Sequence, residues 1–253
     1  MSGQPQNSHL REVDWFSEWI AGGLGLLLRT CYHIKTIVTM QSSERATLKA
    51  LGKAVRGTYR RLLVGPYRLR GRRKGPMRIV VGSSGQFSSG WIPTDMDYLD
   101  ITRPEHWGRF FNSDKLDAIL AEHVWEHLTP VDAVSGTELC YKFLKPGGYL
   151  RLAVPDGLHP DPGYIDRVRP GGSGPGASDH KVLYTYKSLS ALLAACGFSV
   201  DLLEYFDEQG SFHFKDWDVA DGMIHRSSIF DPRNRELKLT YTSVIVDARK
   251  ERR

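Results

Sequence analysis

The sequence predicts an α/β domain with a mostly parallel sheet, which begins near residue 76 and follows a basic, helical extension. Short apolar runs alternate with helix-type segments after residue 76, the pattern of strands joined by helical crossovers. The 253 residues are 41% hydrophobic and 25% charged, which excludes a disordered chain and a fibrous repeat. A chain of this length is expected to form one sizeable domain, with or without an appendage.

Charge divides the chain at the same place. Residues 1–76 contain 14 Lys/Arg and 4 Asp/Glu, a net charge of +10, whereas residues 77–253 carry a net charge of −5. We therefore assign residues 1–75 to the extension and residues 76–253 to the domain. The three cysteines lie far apart and fit neither a disulfide framework nor a zinc cluster, and the N-terminus lacks a secretory signal pattern. These features predict an intracellular, cytoplasmic protein with reduced thiols.

The extension contains two helix-type segments. Residues 19–28 are apolar, but a membrane span needs roughly 20 such residues, so a buried or interfacial helix is expected. Residues 43–63 have an apolar stripe beside a basic one, and a basic linker follows at residues 68–75. Three interpretations stay open, in order of preference: a solvated face packed on the domain, a contact of residues 43–75 with the anionic inner face of a membrane, and nucleic-acid binding, which we consider unlikely.

The domain is predicted to contain an ordered series of elements. Strands are expected at residues 78–81, 91–95, 98–101, 116–121 and 149–154, with late strands at 198–205 and 239–247. Helices are expected at residues 130–144 and 187–196, the second ending before Gly197. Residues 155–178 include 11 Gly or Pro, which predicts either a ligand-covering lid loop or a surface insertion at the ligand-binding edge of the sheet.

Polar residues follow three successive predicted strands. Gly82-Ser83-Ser84-Gly85 follows the first, and glycine there lets a ligand approach backbone N–H groups. Asp95 ends the second strand, where a carboxylate can accept hydrogen bonds from ribose hydroxyls, and the adjacent Met96 could pack on adenine. Asp100 and Ile101 end the third strand, within reach of an adenine amino group. Each acid alone is typical of a turn or cap, but together they favour a ligand site.

The fourth strand leads into Glu122-His123-Val124-Trp125-Glu126-His127. His123, Glu126 and His127 match the H-x-x-E-H pattern of inverted zincins, in which two histidines on one helix bind zinc. The preceding strand and Pro130 leave no room for the long helix that this site needs. We expect instead a strand-end loop without a metal, in which Glu122 and His123 face the ligand cleft and Glu126 and His127 are structural. Candidate general bases are His123, Glu122 and His180, in that order.

The order of these motifs resembles that of a known family. GSSG, GWIPTDMDYLDI, LDAILAEHVWEHL, LKPGGYLRLAVPDG and HKVLYTYKSLSALLAACGF are similar to segments of the bacterial class I S-adenosylmethionine (SAM)-dependent methyltransferases, over about residues 77–250. The resemblance implies a Rossmann-like three-layer sandwich with an antiparallel late strand, SAM as cofactor, and methyl transfer to an O or N nucleophile of a small-molecule or glycan acceptor. It implies cofactor contacts at Gly82, Ser83, Ser84, Gly85, Asp95, Met96, Asp100, Ile101 and Ala121, and substrate contacts at Glu122 and His123.

One departure from the family pattern bears on activity. The family has G-x-G where this chain has Gly82-Ser83-Ser84, so a Cβ atom stands where the backbone would approach the cofactor. Two alternatives to an active methyltransferase therefore stay open: a catalytically impaired binding or scaffold domain of the same fold, and a zinc hydrolase.

Overall fold

The computed structural model describes residues 75–84, 88–96, 99–234 and 238–252. The predictions for residues 1–74, and those for Gly85 and Tyr98, lie outside the described residues. The two helices of the extension and its contact with an anionic surface therefore stay predictions. In the part of the chain that the structure describes, no helix is both long and apolar enough to cross a membrane.

The described residues form one seven-stranded sheet. Its strands are β1 (Arg78–Val81), β2 (Trp91–Pro93), β3 (Leu116–Glu122), β4 (Leu144–Pro155), β5 (Ser199–Phe206), β6 (Phe212–Phe214) and β7 (Ser243–Arg249). Their order in the sheet is β2-β1-β3-β4-β7-β5-β6. The first four pair in parallel, and β7 lies antiparallel between β4 and β5, so that β5 runs in the same direction as β4. This confirms the mostly parallel sheet with an antiparallel late strand.

Helices cover one face of this sheet. The helices are α1 (Pro104–Phe110), α2 (Pro130–Phe143), α3 (Pro162–Val168) and α4 (Tyr186–Ala195). Of these, α1, α2 and α4 pack on that face, whereas α3 packs against Tyr241. Trp107 of α1, Cys140 of α2 and Leu189 of α4 are fully buried in the core on that face. The predicted ends of α2 and α4 are confirmed: Thr129 caps α2 by accepting from the Asp132 N–H, and Gly197 follows α4 with φ +94°.

The opposite face is covered, in the described part of the chain, by residues 217–224, which contain a short 3₁₀ helix at Val219–Asp221 instead of an α-helix. Ile224 and Trp217 pack there against strand residues that include Leu120 and Leu203. Arg151 of β4 fixes the segment, because its guanidinium donates to the Gly222 carbonyl at 2.8 Å. The two faces of the sheet are thus covered in different ways.

The strand predicted at residues 98–101 is wrong for the residues that the structure describes. Asp100 accepts hydrogen bonds from both the backbone N–H and the hydroxyl of Thr102, and the Arg103 N–H donates to the Asp100 carbonyl. These local bonds form a turn that leads into α1 at Pro104. The strand predicted at residues 91–95 is confirmed but shorter, and its Pro93 is tolerated because β2 lies at the edge of the sheet.

Residues 155–178 are more ordered than the predicted loop. They contain α3, whose first turn is capped by Asp161, and a 3₁₀ turn at Ala177–Asp179. The glycine-rich stretch after α3 folds back on the helix, where the Gly174 N–H donates to the Arg167 carbonyl. A Cβ atom on Gly174 would lie 2.5 Å from that carbonyl oxygen, so the fold-back requires glycine. The glycines therefore allow this segment to fold compactly against α3.

Candidate functional site

A cleft of about 480 Å³ opens at the C-terminal edge of β1 and β3. The turn after β1, the segment after β3, residues 167–180 and several residues between 223 and 241 line it. Open α/β sheets bind ligands at this edge, and the volume is in the range of small-molecule pockets. The fold therefore brings together the predicted glycine turn, the segment after β3 and the Gly/Pro-rich segment.

The turn after β1 has a tightly constrained geometry. Gly82 has φ +63°, and a Cβ atom on it would lie 2.6 Å from Cγ2 of Val124. The Ser83 N–H donates to the Thr94 carbonyl at 2.9 Å, which ties the turn to the residue before Asp95. Ser84 also adopts a left-handed conformation, with φ +46°, at a position where glycine would be unstrained.

The predicted cofactor residues divide between the cleft and its surroundings. Gly82, Ser83 and Ser84 line the cleft. Asp95 follows β2 beside the turn and accepts a hydrogen bond from the Met96 N–H, while the Met96 side chain is 74% exposed. Neither Asp95 nor Met96 is among the residues that line the cleft.

Three further predicted cofactor residues, Asp100, Ile101 and Ala121, do not line the cleft either. Asp100 uses one carboxylate oxygen for Thr102 and the other for Arg103, at 3.1 Å. Burial acts to raise the pKa of Asp100, but the Thr102 hydrogen bonds and the Arg103 charge outweigh it and lower that pKa. Ile101 is a core residue that faces α2, and Ala121 is fully buried in β3.

Glu122, a predicted base, lines the cleft and holds part of its wall. Its two carboxylate oxygens accept hydrogen bonds from the backbone N–H groups of His225 and Arg226, at 3.0 and 2.8 Å. The Arg226 guanidinium lies 3.6 Å from the same carboxylate. This geometry makes Glu122 a positioning residue for the segment around residue 225.

His123 also lines the cleft, but its ring nitrogens have protein neighbours. It has φ +55°, and Nε2 lies 3.0 Å from the Ser243 hydroxyl. Nδ1 lies 3.1 Å from Oε1 of Glu126. Ser243 is fully buried and donates its hydroxyl hydrogen to the Arg226 carbonyl, so the trio does not expose a nucleophile. A proton taken up by His123 from a ligand would have to displace one of these contacts.

His180 lies across the cleft from the turn after β1, next to Glu126 and His127. Its Nδ1 atom lies 2.7 Å from the Val168 carbonyl, and its ring packs edge-on against His127 with centroids 4.7 Å apart. Glu126 is only 1% exposed. Burial acts to raise the pKa of Glu126, but the neighbouring His123 and His127 outweigh it and lower that pKa.

Three arginines that line the cleft were not among the predicted site residues; they are Arg167, Arg226 and Arg233. Arg233 forms a two-point ion pair with Asp231 and lies 3.4 Å from the ring centroid of Tyr241. Among the lining residues in the described part of the chain, Glu122 is the only carboxylate. The cleft is therefore lined mainly by cationic and neutral groups.

No family model and no curated protein sequence matches the chain. Solved structures with similar folds include a SAM-dependent methyltransferase from Archaeoglobus fulgidus, at 16% identity over 79% of this chain and 94% of that one, with a TM-score of 0.40. A SAM-dependent methyltransferase from Thermotoga maritima, described as a possible histamine N-methyltransferase, is 13% identical over 78% and 96% of the two chains, with a TM-score of 0.44. A third, from Methanosarcina mazei, is 14% identical over 74% and 98%, with a TM-score of 0.42.

The strand order defines the fold independently of these similarities. The sequence resemblance implied a mostly parallel sheet with an antiparallel late strand; in the structure β7 runs antiparallel between β4 and β5, and β6 pairs antiparallel with β5 at the edge. The domain has the Rossmann-like fold of class I SAM-dependent methyltransferases.

Proposed function

We propose that the protein is a SAM-dependent methyltransferase that acts on an O or N nucleophile of a small-molecule or glycan acceptor. The observation that carries the proposal is the glycine turn after β1, which opens into a 480 Å³ cleft at the C-terminal edge of the parallel strands. The order of motifs around this cleft in the sequence supports it.

The residues around the turn fit this cofactor. Gly82, Ser83 and Ser84 would hold its methionine part, and Asp95, tied to the turn through Thr94, would hold the ribose. The arginines of the cleft supply positive charge that suits the carboxylate of the methionine part. When bound, SAM supplies an electrophilic methyl group.

The protein's own contribution is then mainly to position the acceptor and to exclude water. Several residues between 167 and 180 line the cleft, and the Gly/Pro-rich segment 155–178 would cover the bound reactants. Of the proposed bases, Glu122 already accepts two backbone N–H groups and His123 contacts Ser243 and Glu126. Alignment of the two reactants therefore contributes more to the rate of methyl transfer than a general base does.

Calorimetric titration of the full chain with SAM and S-adenosylhomocysteine tests the proposal. We expect saturable binding of both, and at least a tenfold loss of affinity in Asp95→Ala. The exposed Asp216→Ala is the matched control and should leave the affinity unchanged. If wild-type protein shows no binding heat at millimolar ligand, the protein does not use this cofactor.

The conformation of Ser84 favours a second candidate, a catalytically impaired binding or scaffold domain. A residue with a Cβ atom is held there at φ +46° beside the proposed cofactor position. If Ser84→Gly raised SAM affinity by orders of magnitude, the natural turn would be impaired and this second function would be favoured. An affinity changed less than about threefold supports the enzyme.

A further inference from the structure

We propose that Glu126, His127 and His180 form a binding site for a divalent transition metal ion in the wall of the cleft. One ligand atom from each side chain lies within 4.8 Å of the others. Two imidazoles with one carboxylate form a ligand set that proteins use for zinc and for non-haem iron, and imidazole favours such ions over magnesium or calcium. Atoms that bind one ion at about 2.0–2.2 Å lie within about 4.4 Å of one another, so the observed spacing is close to that of a ligand set.

The Glu126 carboxylate is the first argument for an ion. The residue is 1% exposed, and within the described residues neither carboxylate oxygen accepts a hydrogen bond. Its nearest imidazole nitrogen, Nδ1 of His123, lies 3.1 Å from Oε1 without the alignment of a hydrogen bond. A buried carboxylate in this state is costly unless a cation compensates its charge.

The two histidines are oriented as metal ligands usually are. His180 directs Nδ1 to the Val168 carbonyl at 2.7 Å, so Nε2 would be the nitrogen that binds an ion. Nδ1 of His127 lies 3.4 Å from a carboxylate oxygen of Asp179. Outer partners of this kind fix the tautomer and the ring orientation of metal-bound histidines.

The backbone brings the three ligands together. The Lys181 N–H donates to the Glu126 carbonyl at 2.6 Å, and the Val182 N–H approaches the same oxygen at 3.3 Å. These bonds join the turn after β3 to the residues that follow His180, although more than 50 positions separate them in the sequence. The site is thus formed by the fold before any ion binds.

This site differs from the inverted zincin site that the H-x-x-E-H pattern suggested. His123 contacts the Ser243 hydroxyl through Nε2, and residues Trp125–His127 form a single 3₁₀ turn in place of a long helix. Glu126 is here a ligand instead of a general base, and His180 supplies the second imidazole.

The position of the site suggests what the ion does. His127 and His180 line the cleft and Glu126 is buried outside its lining, so an ion held by the three side chains would be reached from the cleft. An acceptor oxygen bound there would be polarised by the ion. This role rests on the proposed methyltransferase function, whereas metal binding itself does not.

Calorimetric titration with zinc chloride tests the site, using the untagged, chelator-treated full chain without SAM. We expect one tight equivalent of zinc in the wild type and at least tenfold weaker binding in His180→Ala and in Glu126→Gln. His225→Ala is the matched control, because His225 lines the same cleft outside the ligand set and its loss should leave binding unchanged.

Cobalt substitution gives a readout that needs no variant. A site of two imidazoles and a carboxylate shows visible d–d bands without the strong thiolate-to-cobalt band that a cysteine ligand would produce. Absence of a tight equivalent of zinc, unchanged binding in His180→Ala, or a thiolate band would each overturn the proposal. A separate SAM titration of the metal-free protein keeps failure of this site distinct from failure of the methyltransferase function.

Discussion

A Cβ atom placed on Gly82 would lie 2.6 Å from Cγ2 of Val124, so the turn after β1 and the turn after β3 are in contact at this glycine. Gly82 also has φ +63°, a conformation that L-residues rarely adopt. Both constraints act at the rim of the cleft, which links the stability of the domain to the shape of its ligand site.

Gly82→Ala is therefore expected to destabilise the domain more than an ordinary substitution at positive φ. The conformation costs about 1–2 kcal/mol and the contact with Val124 about 1–3 kcal/mol more. Gly171→Ala is the matched control, because Gly171 has φ +69° but nothing within 4 Å of its added Cβ atom. Urea unfolding should show a larger loss for Gly82→Ala, partly recovered by adding Val124→Ala. Equal losses at the two glycines would contradict the contact.

Glu122→Gln is expected to loosen the wall of the cleft. A glutamine has one carbonyl oxygen, so one of the two N–H groups that Glu122 now accepts, from His225 and Arg226, would face an NH₂ group. We expect a loss of about 1–3 kcal/mol in unfolding free energy and faster amide exchange at both residues. The exposed Glu105→Gln should change stability by less than about 0.5 kcal/mol. Unchanged amide exchange in Glu122→Gln would refute this positioning role.

The sequence predicted the elements whose signals are local. Apolar runs revealed β1, β3 and β4, and Gly197 marked the end of α4. Residues 98–101 misled the prediction because an apolar residue beside Asp100 resembles a strand end, whereas hydrogen bonds to Thr102 form a turn. Here local side-chain chemistry overrode an apolar pattern.

The site was predictable only where a strand end defines it. Strand ends placed Gly82 to Ser84 and Glu122 to His123 at one edge, since the carboxyl ends of parallel strands meet there. The arginines at 226 and 233 were missed because their segment has no periodicity and is held by long-range bonds, such as those from Glu122. The lack of hydrogen-bond partners for the buried Glu126 carboxylate could not be predicted from the sequence either, because it depends on tertiary packing.

Arg151→Met is expected to destabilise the domain strongly. Arg151 and Asp247 form a two-point ion pair at 2.7 and 3.0 Å, and both residues are 2% exposed. Removing the cation leaves a buried carboxylate without its main partner, which costs about 3–5 kcal/mol. Arg169→Met is the control, because its pair with Asp166 is about half exposed and is worth less than about 1 kcal/mol. Chemical unfolding of both variants measures the difference, and similar losses would contradict it.

The Asp156 carboxyl should make stability fall with rising pH. It is fully buried, and burial raises its pKa from the usual 3.8 to about 6, although hydrogen bonds from the Leu158 and Phe206 N–H groups act in the opposite direction. A carboxyl with a higher pKa in the folded state binds its proton more tightly there. The contribution of this carboxyl to the free energy of unfolding is therefore fully present below about pH 4. It is lost as the pH rises through about 6, by about 3 kcal/mol in total.

Comparison of the wild type with Asp156→Asn isolates this effect. Asparagine cannot ionise, but its NH₂ group would face either the Leu158 or the Phe206 N–H, which adds a cost that does not depend on pH. The stability of the wild type relative to the variant should therefore be greatest near pH 4 and decline towards pH 7. The exposed Asp216→Asn controls for the loss of one charge. A difference between the wild type and Asp156→Asn that stays constant from pH 4 to pH 7 would show that the buried carboxyl does not titrate in this range.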